Sequence, residues 1–235
     1  RIPGNRLGIE IEAALAFGTG HHGTTRGCLL ALDRICKPMS KPGTTVHRHP
    51  EVRAKRASKG DGPGGAASFE ARAELVVGPA TSGRTRWRGH LRMTKKRILD
   101  LGTGSGVLAI AAARALRRRV LATDIDAQSV RAARGNARLN GVGPFIEAVQ
   151  ADGVARRAVL ERAPFDLIFA NILLGPLQRL AAPLIKLTAP GGRIILSGLL
   201  TAQANAAMAA YRPLALERRI DLDGWTTLVL TRRSS

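Results

Sequence analysis

The sequence predicts an α/β fold with a mostly parallel sheet and a terminal antiparallel hairpin. Residues 97–126, RILDLGTGSGVLAIAAARALRRRVLATDID, are typical of a strand, a glycine turn, a helix and a second strand. Apolar runs and helical patterns keep alternating after this unit, which favours a parallel sheet covered by helices. The last two strand-like segments, 214–222 and 225–231, are joined by Asp223-Gly224, a dipeptide that favours a hairpin turn.

The glycine turn predicts a ligand site at one edge of the sheet. In such a unit the turn places backbone N–H groups and a helix N-terminus at the carboxyl end of the strands. Gly102, Gly104 and Gly106 allow a close approach, because a Cβ there would meet the ligand or require an unfavourable φ. A nucleotide-like ligand is the first hypothesis, and a glycine turn that binds nothing is the alternative.

The acids that flank the turn indicate which ligand it takes. The motif DLGTGSG begins at Asp100, and Asp124 ends the next strand. This is the glycine motif of S-adenosylmethionine-dependent methyltransferases with a Rossmann-like fold. Gly104, Gly106 and Ala109 also satisfy the looser dinucleotide pattern GxGxxA, but Asp100 would repel a pyrophosphate, whereas it can hold the loop or face a cationic ligand. Asp124 is suited to accept hydrogen bonds from both ribose hydroxyls, which either ligand carries.

The other elements follow from apolar periodicity and from Gly, Pro and Asp signals. In chain order we predict a helix over 127–140 that stops at Gly141, a third strand over 145–150, a fourth over 165–170, a helix over 177–187, a turn at Pro190-Gly191-Gly192, a fifth strand over 193–197, a helix over 202–211 and the closing hairpin.

Two polar residues follow the third and fourth strands at the same edge. Asp152 lies where methyltransferases often hold the adenine amino group, and a plain turn acid is the alternative. Asn171 can accept from an amine with its side-chain oxygen and aim the nitrogen lone pair at a methyl group, although an Asn here can also cap the next helix. The Asn-Ile-Leu that begins at Asn171 favours a protein amine over a nucleobase as substrate, because it lacks the aromatic residue that would stack on a flipped base.

The N-terminal part contains a short alternating run and a glycine-rich loop. Residues 7–12 fit an edge strand or a linker. In AFGTGHHGTTR, residues 16–26, Thr24 and Thr25 are an N-cap signal for a helix, and the loop before them is free to fold over a neighbouring ligand.

Taken together, these segments resemble the ribosomal protein L11 methyltransferase (PrmA) family. AFGTGHHGTT is similar to the family's AFGTGTHPTT, and ILDLGTGSGVLAIAAA, FDLIFANILLGPLQRL and DGWTTLVL agree with it too. The resemblance covers residues 14–36 and 97–232. It implies a Rossmann-like class I methyltransferase fold with a seven-stranded sheet, S-adenosyl-L-methionine as cofactor, and methyl transfer to a lysine side chain or N-terminal amine of ribosomal protein L11.

The resemblance also implies roles for single residues, with Asn171 as the catalytic residue that orients the nucleophile. We expect six residues to contact the cofactor: Thr25, Gly102, Gly104, Asp124, Asp152 and Asn171. No metal site is expected. No dedicated base is expected either, because a substrate lysine buried beside a sulfonium has a lowered pKa and can lose its proton to water.

Three departures from the family pattern bear on the domain organisation. His21 and Gly23 stand where the family has Thr and Pro. Residues 37–96 hold 14 Lys/Arg, 4 Asp/Glu, 8 Gly and 5 Pro, so we interpret them as a basic, largely disordered insertion. This insertion would separate an N-terminal segment, 1–36, which contains the cofactor-covering loop and helix, from a methyltransferase core, 97–235. The family's N-terminal substrate-gripping domain is expected to be absent, and a chain that begins at Arg1 is expected to be a fragment or a truncated reading frame.

Composition sets the expected partners and location. The 235 residues suffice for one α/β core, and without a signal peptide or an apolar run of about 18 residues a cytoplasmic protein is expected. The net charge of +20 favours a weak electrostatic contact with RNA or the ribosome through 37–96, and a solvated basic surface is the alternative. Besides the L11 methyltransferase, two hypotheses stay open: an RNA or small-molecule methyltransferase, and a cofactor-binding remnant without activity.

Overall fold

The computed structural model describes residues 7–12, 23–37, 52–54, 72–77 and 96–234. The strands in these ranges are β1 (Leu7–Glu12), β2 (Val52–Ala54), β3 (Arg72–Val77), β4 (Ile98–Leu101), β5 (Val120–Asp124), β6 (Ile146–Gln150), β7 (Phe165–Asn171), β8 (Thr188–Leu200), β9 (Ala215–Leu222) and β10 (Trp225–Thr231). The helices are α1 (Gly23–Cys36), α2 (Val107–Leu116), α3 (Ala127–Leu139), α4 (Arg157–Leu160), α5 (Leu174–Arg179), α6 (Ala181–Leu187) and α7 (Ala204–Ala210).

Seven strands form one sheet in the order β6-β5-β4-β7-β8-β10-β9. The pairs from β6 to β8 are parallel, and β10 is antiparallel to both β8 and β9. Asp223 and Gly224, which join β9 to β10, both have positive φ (52° and 79°), as a tight hairpin turn requires. The predicted α/β fold with a mostly parallel sheet and a closing hairpin is therefore confirmed.

Helices cover both faces of this sheet because its central strands are apolar on both sides. One buried cluster joins α1, α2, α3 and β1 to one face, and the other joins α4 to α7 to the opposite face. Neighbouring strand residues alternate between the clusters, as Ile98 and Leu99 do. The fully buried Tyr211 fills the second cluster, and its hydroxyl donates to the Leu177 carbonyl at 3.0 Å.

A second, three-stranded antiparallel sheet has the order β1-β3-β2. Two of its strands, β2 and β3, lie within residues 37–96, the stretch that the sequence analysis interprets as a largely disordered insertion. Its other residues, except Lys37 and Lys96, lie outside the described residues. The first strand also joins the core, because the Asn140 side chain bonds both the N–H and the C=O of Glu10, at 3.0 and 2.6 Å.

Three predicted elements differ in detail from the structure. The helix expected over 177–187 is two helices, α5 and α6, which meet at Leu180 (φ −90°, ψ 1°). The fifth strand is longer than expected because Pro190-Gly191-Gly192 forms a bulge within β8: Phe165 pairs with Thr188, but Leu167 pairs with Arg193. Thr24 and Thr25 lie inside the first turn of α1 and do not precede it, since α1 begins at Gly23. No helix among the described residues is long and apolar enough to cross a membrane.

Candidate active site

The glycine turn after β4 is a bend anchored to β5. Gly102, Gly104 and Gly106 have φ of 68°, 53° and 84°, a region that non-glycine residues rarely adopt. The amides of Gly102 and Thr103 both donate to the Thr123 carbonyl, at 2.8 and 2.9 Å. These two amides are therefore already hydrogen-bonded within the protein. The bend allows a ligand to approach the main chain closely, but these two N–H groups are not free to bind it, contrary to what the sequence suggested.

Asp100 lies beneath the bend and holds it to α2. Its Oδ2 accepts from the Thr103 hydroxyl at 2.6 Å and from the Ala109 amide in the first turn of α2 at 3.0 Å. Burial raises the pKa of Asp100 to about 6, while these two hydrogen bonds act in the opposite direction. Its Oδ1 is buried and has no hydrogen-bond partner among the described residues. Asp100 thus holds the loop, and its second oxygen keeps its acceptor capacity.

Asp124 at the end of β5 has a structural task and spare acceptor capacity. Its Oδ2 accepts from the Gly104 amide at 2.9 Å, and its Oδ1 accepts from the Asp126 amide at 3.0 Å. A carboxylate has about four lone-pair sites, so each oxygen can accept one further hydrogen bond. The side chain is half-buried at the carboxyl edge. Two adjacent hydroxyls are ligands of the kind this arrangement can bind.

A cleft of about 380 Å³ lies beyond the ends of β5 and β6. Its lining residues are Ile125, Gln150, Ala151, Asp152, Ala155 and Arg156. It adjoins Asp124, whose carbonyl accepts from the Ala151 amide at 2.8 Å. Ile125 is 64% exposed and offers a flat apolar contact, while the exposed Asp152 offers a carboxylate. This combination suits a small planar group with hydrogen-bond donors, and the adenine contact of Asp152 stays a prediction.

Asp124, Gly102 and Asn171 lie at one level on three neighbouring strands. Thr123 pairs with Leu101, and Leu101 pairs with Ala170, so each of the three follows directly after a paired residue. Neighbouring strands are about 4.8 Å apart, which places the outer two on either side of the bend, about 10 Å from one another. We call these three residues the carboxyl-edge row. The sequence predicted this grouping from the shared edge of parallel strands.

Asn171 ends β7 and is half-buried, and no hydrogen bond joins its side chain to another described residue. Residue 173, not Asn171, precedes α5 at its N-cap position, so the helix-cap alternative for Asn171 does not apply. The next residue, Ile172, lies between two glycines. A Cβ at Gly102 would be 2.4 Å from its Cγ2, and a Cβ at Gly198 would be 2.5 Å from its carbonyl oxygen.

Thr25 lies in the first turn of α1, which packs on β8 and β10. Its side chain is fully buried, and its Oγ1 has no hydrogen-bond partner among the described residues. The helix is held by Ser197 of β8, whose Oγ donates to the Thr24 carbonyl at 3.0 Å and lies 2.9 Å from Thr227 Oγ1. A buried hydroxyl without a partner is costly, so Thr25 is a candidate ligand contact.

Sequence reasoning missed Ser197 and Gly198. The fifth strand was expected to end at 197, but β8 continues to Leu200 with Gly198 inside it at φ 81°. A glycine within the apolar run LSGLL was the available signal, since glycine in a strand often marks a close approach of another backbone. No group of three or more His, Cys, Asp and Glu side chains that could hold a metal ion occurs among the described residues.

The family model that matches this chain and two similar curated relatives belong to one family. A family model described as ribosomal protein L11 methyltransferase (PrmA) matches residues 2–46 and 79–233. The chain is 46% identical over 234 residues to a ribosomal protein L11 methyltransferase of Rhodopseudomonas palustris (strain BisB5), covering 99% of this chain and 61% of that protein. A protein of the same name from Bradyrhizobium diazoefficiens is 44% identical over 232 residues, covering 98% of this chain and 60% of that one.

Among solved structures, a ribosomal protein L11 methylase from Lactobacillus delbrueckii subsp. bulgaricus is similar, with a TM-score of 0.53 and 33% identity. The match covers 60% of this chain and 72% of that chain. The chain spans about three fifths of the length of the curated relatives it matches. Residues 47–78, which the family model leaves unmatched, lie inside the stretch 37–96 that we interpreted as an insertion.

Proposed function

Because this chain belongs to the ribosomal protein L11 methyltransferase (PrmA) family, we propose that it is an S-adenosylmethionine-dependent N-methyltransferase that acts on ribosomal protein L11. The acceptor is an amine, either a lysine side chain or the N-terminal amine. The observation that carries this proposal is the carboxyl-edge row, in which the Asp124 carboxylate, the glycine bend and the Asn171 carboxamide lie side by side.

The donor set of the site fits S-adenosylmethionine. Asp124 has acceptor capacity for both ribose hydroxyls, and the cleft beside it has the size and lining for adenine. The chain has a net charge of +20, yet Asp100, Asp124 and Asp152 all lie at or beneath this edge. Carboxylates attract the cationic cofactor and would repel the pyrophosphate of a dinucleotide. The Thr25 hydroxyl, which has no hydrogen-bond partner among the described residues, supplies one further polar contact.

The residues of the chain act mainly by binding and orientation. When bound, S-adenosylmethionine supplies an electrophilic methyl group on a positively charged sulfur. The Asn171 side-chain oxygen accepts an N–H from the substrate amine, which fixes the direction of the nitrogen lone pair. Holding two reactants in this alignment removes much of the entropic barrier to a bimolecular transfer.

The substrate amine also has to lose a proton before transfer. The ordinary pKa of lysine is about 10.4. In a partly desolvated site that already contains a positive charge, the neutral amine is favoured and its pKa falls. We therefore propose that the proton leaves to water and that Asn171 orients the amine without acting as a base.

Two finer statements complete the proposal. Residues 37–96 carry a net charge of +10 and form a weak, salt-dependent contact with RNA or the ribosome near the substrate. The reaction takes place in the cytoplasm. Both statements are supported by composition and by the kind of substrate that the relatives' names give.

The test is methyl transfer from S-adenosylmethionine labelled in its methyl group. The purified chain is mixed with ribosomal protein L11, with ribosomal RNA, or with neither, and the label is followed in protein and in RNA. Asn171→Ala serves as the inactive control. Label in L11 that depends on Asn171 is the expected result.

The other outcomes separate the remaining hypotheses. Label in RNA alone would replace this proposal with an RNA methyltransferase. Cofactor binding in calorimetry without transfer to either acceptor would instead indicate a binding remnant. Tight binding of NAD with none of S-adenosylmethionine would overturn the assignment of the site.

A further inference from the structure

We propose that Ser197 and Gly198 of β8 are positioning residues for methyl transfer, Ser197 acting on Thr25 through α1 and Gly198 acting on Asn171 through Ile172. This inference rests on the proposed function and extends it to two residues that contact neither reactant. The two are consecutive in β8, and together they lie opposite Thr227 of β10, at a bulge where the register of the two strands shifts. Ser197 pairs in register with Asn171, which places both at the level of the carboxyl-edge row.

Gly198 makes room for the backbone that follows Asn171. A Cβ at this position would lie 2.5 Å from the carbonyl oxygen of Ile172, 2.9 Å from its carbonyl carbon and 3.1 Å from its nitrogen. Gly198 also has φ of 81°, which disfavours any other residue. All three close atoms are backbone, so no side-chain rotation can relieve the overlap. A methyl group here has to push the backbone of Ile172, and with it the peptide that joins it to Asn171, away from β8.

Ile172 passes this displacement on to the glycine bend. Its side chain lies against Gly102, where a Cβ would be 2.4 Å from Cγ2. The residue is thus enclosed by β8 on one side and by the bend on the other. A shift away from Gly198 changes the direction of the Asn171 carboxamide, and a misplacement of about 1 Å can reduce the rate of transfer by a factor of about 100.

Ser197 acts on the first turn of α1. Its fully buried hydroxyl donates to the Thr24 carbonyl at 3.0 Å, and Thr227 Oγ1 lies 2.9 Å away. Gly27 in the next turn has no room for a Cβ, which would lie 2.1 Å from Thr227 Oγ1. These contacts fix the first turn of α1, and with it the hydroxyl of Thr25. Ser197 therefore acts on the cofactor side of the site through α1, and Gly198 acts on the acceptor side through Ile172. The two effects are independent of one another.

The test is a crossed comparison of two variants, each with a control at the other end of β8. Gly198→Ala should lower kcat for L11 methylation by about 10- to 100-fold and change the Kd for S-adenosylhomocysteine less than about threefold. Ser197→Ala should raise that Kd about tenfold and change kcat at saturating cofactor less than about threefold. A merely structural role would move kcat and Kd together in both variants.

The controls separate positioning from loss of stability. Gly192→Ala also crowds backbone, with a Cβ 2.8 Å from the Ala189 carbonyl oxygen, but it lies at the amino end of β8. Thr188→Val removes a buried hydroxyl that donates to the Leu184 carbonyl at 2.8 Å at the same end. Both should lower the melting temperature and leave kcat and Kd unchanged. Equal kcat losses in G192A and G198A, or equal Kd shifts in T188V and S197A, would overturn the proposal.

Two further measurements keep the inference separate from the proposed function. If G198A does not fold, Ile172→Ala, which adds no atom, should show the same loss of kcat. Amide hydrogen exchange needs no substrate: G198A should speed exchange at residues 171–173, S197A at residues 23–27, and T188V at neither. If the chain binds S-adenosylhomocysteine but does not methylate L11, the substrate assignment fails, while exchange and Kd still decide the roles of these two residues.

Discussion

Asp124 accepts a hydrogen bond from the Gly104 amide at 2.9 Å, so the acid expected to bind ribose also supports the glycine bend. Its other oxygen accepts from the Asp126 amide at 3.0 Å. The two tasks use different lone pairs of the same carboxylate. A substitution at Asp124 should therefore alter both the local stability of the bend and the binding of the cofactor.

Asp124→Asn should weaken S-adenosylhomocysteine binding by about tenfold or more, since both oxygens accept backbone N–H groups and either orientation of an amide places a donor against a donor. Calorimetry on the purified variant measures the loss. The matched control is Asp126→Asn, because Asp126 also accepts two backbone amides, from Gln128 and Ser129, as the N-cap of α3. D126N should lower stability slightly, since Asn is also a good N-cap residue, and should leave affinity nearly unchanged. Equal losses of affinity would mean that Asp124 does not contact the ligand.

Thr25→Val should weaken cofactor binding while leaving the protein as stable as before or slightly more stable. The exchange is close to isosteric and removes a buried hydroxyl that has no partner among the described residues. Leaving such a group unsatisfied costs about 1–3 kcal/mol, so its removal relieves the ligand-free protein. Chemical denaturation and calorimetry give the two quantities. A variant that loses stability but binds normally would show that the hydroxyl serves the fold.

The carboxyl-edge row could be predicted because it depends on residues that are adjacent in sequence. Each strand and its terminal polar residue are adjacent in sequence, and parallel strands bring their carboxyl ends to one edge. The contact of Ser197 with Thr24 joins residues 173 positions apart, and no local pattern encodes it. The start of α1 was misplaced for the same reason. A Cβ at Gly23 would lie 3.0 Å from the Leu222 carbonyl oxygen, so the first residue of α1 packs closely against β9, a tertiary contact that the local cap signal at Thr24 and Thr25 does not reveal.

Asp100 should give the unfolding free energy a specific pH dependence. Burial raises the pKa of this carboxyl to about 6, compared with about 3.9 in an unfolded chain. Between these values the folded state binds more protons, so its stability should fall as the pH rises from about 4 to about 6, at up to roughly 1.4 kcal/mol per pH unit. Above pH 6 the contribution should be constant.

Asp100→Asn isolates this contribution from that of the other carboxyls. An amide oxygen can still accept from the Thr103 hydroxyl and the Ala109 amide, and the amide nitrogen takes the place of the unpartnered Oδ1. Denaturant unfolding of both proteins from pH 4 to 8 should give a difference that grows up to about pH 6 and favours the variant at neutral pH. A flat difference would show that Asp100 titrates as an ordinary acid.

Asn171→Ala should lower kcat for L11 methylation by about 100-fold, because the variant loses the acceptor that orients the substrate amine. The folded state should be little affected, since the half-buried side chain bonds no other described residue. Asn205→Ala, at an exposed position on α7, is the matched control and should keep full activity. Because Asn171 is also predicted to contact the cofactor, a moderate rise in Kd is expected as well, so kcat has to be measured at saturating cofactor. If it then equals that of the unsubstituted chain, Asn171 contributes to binding alone, and the orientation of the amine must come from another group at the carboxyl edge.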